Sequence, residues 1–543
     1  MHKPDKAHII LLVFTCLGIF FVNLDAIYIN IMEARNFVTA REMLVDDHWI
    51  LTTLNGEPRY QKPPLPTWIT AISAAAFGMK SMIANRLPAA IMSLILVLTF
   101  YKTVLRLGKD QGFAFVASLV LATSFYVIFS GRNGQWDIFT HGFMILATDR
   151  IVRLFTDSKR IWTDSLLAGI FIGCSFMSKG PVSLYALWLP FMIAFGWTYR
   201  FKGLRKMWLP LLVSTLVAIV LSGWWYAYTY FFDREAVEMI TRRETANWTG
   251  YNVRPFYYYW SFFTQSGLWT VPAFVGLLFP YLKDKVWDKQ LYKFSFIWTI
   301  ASVVLLSVIP EKKSRYLLPV LIPLALNTAM YLEYLFRRFA LVKNPWEKLP
   351  VYLHFGIVGS IGFLFPLGGY LLLGDNLDGQ WFWFVSLSIA LLIIGWMIWK
   401  NLLKKNVRGT FYWSIGLIIA VMCLGLPLAN TLTVNPEFRS LEELNQWQAE
   451  NDDLPVYEFG GFTPELIWAY GNPIPVLNKE GTIQIPEERT FGVLIAEENL
   501  PDFQNTFGDY QIEKVMRYDM NPKAPGESGH KPRLYRDLYL IRK

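Results

Sequence analysis

ANRLPAAIMSLILVLTFYKTVLRLGKDQGFAFVASLVLATSFYVIFS, residues 84–130, decides the fold class. Two apolar runs, 84–106 and 112–130, flank a connection that holds Lys102, Arg106 and Lys109. About 20 apolar residues rise about 30 Å as a helix, the thickness of a bilayer core. Backbone in lipid has to satisfy its own hydrogen bonds, so each run reads as a transmembrane helix. The same pattern recurs along the chain. Candidate spans fall at 8–29, 84–106, 112–130, 138–154, 162–178, 182–198, 208–230, 260–282, 294–309, 316–335, 351–374, 381–399 and 410–431, thirteen in all.

Composition agrees. The 543 residues are 54% hydrophobic and only 17% charged, against about 25% charged in a soluble protein. The chain is neither disordered nor collagen-like, and it is no nucleic-acid binder. Its 22 Trp and 41 Phe suit interfacial aromatic belts. Cys16, Cys174 and Cys423 all sit in apolar runs and are too scattered for a disulfide framework or a cysteine metal site.

Charge sets the topology. With a cytoplasmic N-terminus, the inner connections hold Lys102, Arg106 and Lys109; Arg150, Arg153, Lys159 and Arg160; Arg200, Lys202, Arg205 and Lys206. The later ones hold Lys283, Lys285, Lys289 and Lys293; Arg337, Arg338, Lys343 and Lys348; Lys400, Lys404, Lys405 and Arg408. Every inner connection is basic, as the positive-inside rule requires. Met1–Lys6 is basic but no cleavage site follows, so the first run reads as a retained helix. An odd number of spans puts the C-terminal tail outside, in the periplasm of a diderm bacterium. From 434 onward the tail carries 11 Lys+Arg against 19 Asp+Glu, a net −8, which leaves +17 on the rest of a +9 chain.

The sequence therefore predicts an α-helical integral membrane domain over 1–431 and a small α/β domain over 432–543. Two outer segments, 30–82 and 231–259, are long enough to fold. Glu33–Leu44 and Pro64–Phe77 suit helices lying on the membrane surface. In the tail, Val456–Phe459, Val476–Asn478, Phe491–Ala496 and Leu538–Arg542 read as strands. Thr463–Tyr470 and Glu498–Phe507 read as helices, the first with Thr463 as N-cap and Pro464 following. The tail shows no nucleophile, metal cluster or phosphate loop, and its expected role is to cover the outer face.

Chemistry concentrates in the first outer segment, MEARNFVTAREMLVDDHWILTTLNGEPRYQKPPLPTW, residues 32–68. Glu33, Arg35, Arg41, Glu42, Arg59 and Lys62 stand beside aromatic and proline anchors. Charges at a membrane surface are costly unless paired or hydrated by a cavity. Arg suits forked contact with phosphate, Lys acts as a point charge, and Pro63 and Pro64 would aim Lys62 rigidly. The segment resembles the first periplasmic loop of the bacterial GT-C glycosyltransferases of the protein mannosyltransferase and aminoarabinose (lipid A) transferase group. Glu33 and Arg35, Ala40–Met43, Trp49, Asn55–Gly56 and Lys62–Pro64 match its pattern at the right spacing. Met32 stands where the family carries its first acidic residue, and Gln61 where the aminoarabinose transferases carry another.

Four more clusters resemble family segments. RNGQWD (132–137) ends a helix on the outer side. Asp137 and His141 share a helix face, which leaves a divalent metal open as a cofactor, with no metal ligand assigned. SKGP (178–181) places Lys179 at an outer turn. PEKKSRYLLP (310–319) sets Lys312, Lys313 and Arg315 against the positive-inside pattern, and an anionic ligand supplies the reason. TRRETANWTG (241–250) precedes RPFYYYW (254–260).

The resemblance implies transfer of a sugar from a polyprenyl (undecaprenyl) phosphate donor to a periplasmic-side acceptor. Lipid A or another glycolipid, or a protein serine or threonine, would accept it. Arg35, Lys62, Lys179, Lys313 and Arg315 would bind the donor phosphate. Glu33 and Asp137 would be catalytic, with either Glu33 taking over from the Met32 position or an acceptor that needs no base. Arg59, Arg132, Arg243, Glu244 and Tyr316 would touch sugar or acceptor. A lipid-linked sugar flippase without chemistry is the alternative, though it predicts internal repeats that the sequence lacks. The expected location is the bacterial inner membrane, multi-pass, with site and tail on the periplasmic side.

Overall fold

The computed structural model describes residues 4–156, 159–201, 203–432, 435–479 and 481–543; Lys202 of the basic connections lies outside them. The chain divides into two compact units. One comprises Met1–Leu24, Tyr60–Ile69 and Arg86–Pro427, the other Asp25–Arg59, Thr70–Asn85 and Leu428–Lys543.

The first unit is a multi-pass helical membrane domain. Among the described residues, eight helices are long and apolar enough to cross a membrane, and Gln111–Ala122 with Phe125–Gly131 makes a ninth, bent by 67°. The other four of the thirteen predicted spans are helical but short, more polar or broken. Residues 8–29 form Lys6–Cys16 and the π-turn Leu17–Phe21. Residues 138–154 lie in Asp137–Thr156, and 182–198 in a 16-residue apolar helix, Leu184–Tyr199. Residues 260–282 break at Gly267, whose φ of 63° suits glycine. A Cβ there would also come within 2.7 Å of the Phe125 Cβ. Apolarity alone cannot reveal such a break.

Packing follows small residues. A Cβ on Gly362 would lie 2.3 Å from the Leu391 carbonyl, and one on Gly395 2.6 Å from that of Gly359. The Pro345–Leu373 and Trp381–Leu403 helices thus meet backbone to backbone, as in small-residue membrane interfaces. Leu318–Arg338 is apolar on nearly every side and buried along most of its length, which makes it the central helix.

In the second unit a four-stranded sheet runs in the order Val456–Glu458, Thr490–Ile495, Tyr535–Arg542, Gln511–Asp519. The first pair is parallel and the others antiparallel. Gln511–Asp519 was not predicted; it is an edge strand, exposed along its first four residues, and lacks apolar alternation. Val476 only bridges to Glu458, and Asn478–Lys479 forms a small hairpin with Thr482–Ile483. Thr463 precedes the Pro464–Tyr470 helix but does not cap it with its side chain; its hydroxyl donates to the Arg533 carbonyl at 2.9 Å. Leu500–Phe507 covers one face of the sheet through Phe503 and Phe507.

The Ile31–Val45 helix belongs to this second unit and is internal, not a helix on the membrane surface. Phe37 packs tilted against Trp468 with ring centroids 5.3 Å apart, Val38 joins the core of Leu466, Ile467, Leu494 and Leu538, and Arg41 donates to the Ile467 carbonyl at 3.1 Å. Arg536 ties the tail together: it pairs with buried Glu458 at 2.5 Å and donates to the carbonyls of Gly461, Arg533 and Tyr535. Removing one member of a buried pair strands the other, at a cost of about 3–5 kcal/mol. Arg536→Ala should therefore lower the unfolding temperature of the purified chain by several degrees. An unchanged melting curve would show that the pair does not hold the sheet.

Candidate active site

Lys62 stands at the centre of the site in the first unit. Its loop is tied down beside it by Tyr60, whose phenol donates to Asp233 Oδ2 at 2.6 Å. Asp233 in turn caps the Arg234–Gly250 helix. Burial and the charge of Lys179 hold the Lys62 ammonium at a pKa of about 8, against the pull of Glu244, Asp137 and Glu311. These charges come from four separate motifs, so five segments distant in sequence meet at one lysine. Tyr60 and Asp233 were missed from the sequence, although an Asp just before a helical run is a capping signal.

Around Lys62 the cations outnumber their partners. Lys179 is ion-paired with Asp137, and Lys313 with Glu311 at 2.5 Å. Lys62 and Arg315 have no carboxylate partner among the described residues, and Arg315 Nε is buried without any hydrogen bond. The Tyr316 ring lies between the cations, 4.9 Å from Lys179 Nζ and 5.9 Å from both Lys313 Nζ and the Arg315 guanidinium carbon. Arg315 also lies within Coulombic range of Asp137 and Lys179.

The 310–316 segment is held from outside. Val253 bridges Glu311 in antiparallel fashion, and the Lys313 amide donates to the Tyr259 hydroxyl at 3.0 Å. Lys312 donates to the Ile309 and Arg254 carbonyls at 2.6 and 3.0 Å, so it serves the loop and not a ligand. Part of the tyrosine-rich run is thus a clamp on the basic turn.

Two expected substrate residues do not reach this cluster. Arg132 donates to the carbonyls of Ile19, Val22 and Asn23, each at 2.7 Å. It satisfies the orphan acceptors at the end of the first helix. Arg243 is exposed on the Arg234–Gly250 helix, whereas its neighbour Glu244 acts on Lys62. In the 132–137 turn, Asn133 Oδ1 and Gln135 Oε1 are buried without partners. Among the described residues no group of three His, Cys, Asp or Glu converges on a metal position. A metal at Asp137 and His141 would have to displace the Lys179 ammonium.

The second unit holds the remaining candidates. Glu33 is buried and completes a capping box: its carboxylate accepts from the Asn30 amide nitrogen at 2.6 Å and the Asn30 backbone N–H at 3.3 Å. Arg59 is buried and donates to the Thr39 hydroxyl at 2.9 Å. Burial, with Arg35 adding a like charge, holds its guanidinium at about 9. Glu42 accepts from the Thr53 hydroxyl at 2.6 Å and the Asn55 N–H at 2.7 Å. Asn55 and Gly56, at φ of 59° and 75°, turn the hairpin between Thr53–Leu54 and Glu57–Pro58. Much of the motif that carries the resemblance therefore builds the fold.

Known proteins resemble the chain in sequence and in fold. The model of a family described as dolichyl-phosphate-mannose-protein mannosyltransferase matches residues 61–226, which include Lys62, Asp137 and Lys179. ArnT from Cupriavidus metallidurans, solved bound to undecaprenyl phosphate and in the apo state, superposes with TM-scores of 0.66 and 0.69. At 15% identity the likeness covers 99% and 98% of this chain and 98% of that one. The chain shares the fold of ArnT. Among curated relatives, an undecaprenyl phosphate-alpha-4-amino-4-deoxy-L-arabinose arabinosyl transferase of Proteus mirabilis is 24% identical over 384 residues, 68% of this chain and 65% of its own length. An uncharacterized protein of Aquifex aeolicus is 25% identical over 298 residues, 54% of the chain and 58% of its own length. The matches thus span about three fifths of these relatives.

The lowered pKa of Lys62 makes a measurable signature. A bound phosphate favours the ammonium, so anion affinity should be full below pH 8 and fall as the pH rises past it. Amine acylation followed by mass spectrometry should give Lys62 a midpoint near pH 8, moved upward by a phosphate-bearing lipid. A midpoint near 10.5 in the free protein would mean that Lys62 is not desolvated.

Proposed function

We propose that the chain is an enzyme that transfers a sugar from a polyprenyl-phosphate donor to an acceptor on the extracytoplasmic face of a bacterial inner membrane. The observation that carries this reading is the pair of cations without carboxylates, Lys62 and Arg315, set beside the Lys179–Asp137 and Lys313–Glu311 pairs. Undecaprenyl phosphate is the favoured carrier, since curated relatives are named as undecaprenyl phosphate-alpha-4-amino-4-deoxy-L-arabinose arabinosyl transferases; a lipid A-type glycolipid is the favoured acceptor, as the sequence resemblance implies. The family description, a protein mannosyltransferase, supports a protein hydroxyl as the second reading.

In this mechanism the acceptor oxygen attacks the anomeric carbon from the face opposite the phosphate. The carbon–oxygen bond to the phosphate breaks, its electron pair stays on the phosphate, and the configuration inverts. Charge grows on the departing phosphate, where Lys62, Arg315 and the paired Lys179 and Lys313 act. Tyr316 keeps the cations in register, and Glu244 and the buried Asn133 and Gln135 acceptors suit sugar hydroxyls. A phosphate acceptor is already anionic and needs no general base. Glu33, engaged in its helix cap, is assigned no proton transfer; Asp137 positions Lys179.

Lys62→Ala and Arg315→Ala should each raise the barrier by about 2–4 kcal/mol, as loss of oxyanion donors does, and leave the fold intact. Turnover with undecaprenyl-phosphate sugars reads this directly, and normal rates in both variants would reduce these cations to structural roles. Glu33→Gln should keep turnover within a few fold, whereas Asp137→Asn, which leaves Lys179 buried and unpaired, should lose it strongly. The reverse order would restore Glu33 as the base and point to a hydroxyl acceptor. Single cysteines at 46 and 250 should react with an impermeant reagent in cells with a permeabilised outer membrane, and one at 345 should not.

A further inference from the structure

We infer that the end of the membrane domain opposite the transfer site holds a binding site for an anionic phospholipid headgroup. A cavity of about 530 Å³ opens between the 284–286 turn and the 334–347 corner, where the Ser314–Leu341 and Pro345–Asn376 spans meet. The first of these spans begins at the Arg315–Tyr316 turn and has 28 residues. As a helix that is about 40 Å, so cavity and transfer site lie at opposite membrane faces.

The charges lining the cavity do not cancel. Asp284 is paired with Lys289 at 2.6 Å, Glu347 with Lys285 at 2.8 Å, and Arg337 with Glu333. Glu347 also accepts from the Tyr281 and Tyr334 hydroxyls, at 2.9 and 3.1 Å, which fixes it as part of the wall. Arg338 and Lys343 remain, both exposed and without a carboxylate among the described residues. A phosphate group is the ligand that two such cations at a cavity rim suit.

The surroundings favour a lipid over a soluble phosphate. Leu341 is 68% exposed at the rim and Trp346, five residues on, 77%. An exposed tryptophan and leucine at the ends of two spans mark the depth where headgroup meets acyl chain. Basic pockets between helices on the cytoplasmic side are known sites for anionic headgroups. The basic connections place this corner on that side.

The test needs no sugar donor, so it stands apart from the transfer reaction. Native mass spectrometry of the full chain in detergent should show phosphatidylglycerol retained in preference to phosphatidylcholine. Arg338→Gln with Lys343→Gln should weaken that retention by about 30-fold, two cations at about 1 kcal/mol each. Arg338→Lys with Lys343→Arg, which keeps both charges, should retain the lipid and control for folding. Equal retention of the two lipids, or full retention by the Gln variant, would overturn the site. Thermal protection by inorganic phosphate as strong as that by phosphatidylglycerol would overturn the lipid and leave a soluble-anion site.

Discussion

An ammonium taken out of water and given no carboxylate raises the free energy of the folded state, and the rest of the fold has to hold it there. Lys62 is such a group, and the strain shows in its pKa of about 8. What keeps it in place is indirect. Tyr60 is pinned to Asp233, two prolines follow, and the opposing carboxylates of Asp137 and Glu311 are already taken by Lys179 and Lys313. A carboxylate at pairing distance would relieve that cost. Withholding that partner leaves a position that a phosphate relaxes on binding.

The same logic explains why so much of the site is scaffold. The basic turn at 310–316 would swing freely without the bridge to Val253 and the hydrogen bond to Tyr259. Lys312 spends its ammonium on loop carbonyls so that its neighbours stay directed. Positioning of this kind matters because a cation misplaced by about 1 Å loses much of its effect on a transition state.

The spans, the basic connections and the cation-bearing outer segments were legible because each rests on composition or on charge placed against topology. Lys62, Asp137, Lys179, Lys313, Arg315 and Tyr316 all fall in one cluster for that reason. What was not legible is set by contacts distant in sequence. Arg132 looks like a ligand residue until the end of the first helix is seen to need its three hydrogen bonds. Glu33 looks like a catalytic acid until Asn30 is seen to share it. A side chain at the Gly267 break would meet Phe125, and no short window of sequence contains both. Nor does sequence order suggest that residues 25–59 fold with the tail, since Phe37 meets Trp468 across more than four hundred positions.

The Asp137–Lys179 pair carries the reading one step further. A lysine shared between a carboxylate and a phosphate is bound less tightly to each than to either alone, so its charge can follow where negative charge is greatest. In the proposed donor complex the phosphate would be a diester with a single charge, and Asp137 would compete well for the ammonium. As the sugar bond breaks the phosphate gains a second charge, and the balance tips toward it. Stabilisation that grows along the reaction accelerates it, whereas a cation locked onto the phosphate throughout would hold donor and product alike. The buried ion pair, often neutral for stability, is in this place a means of making the cation respond.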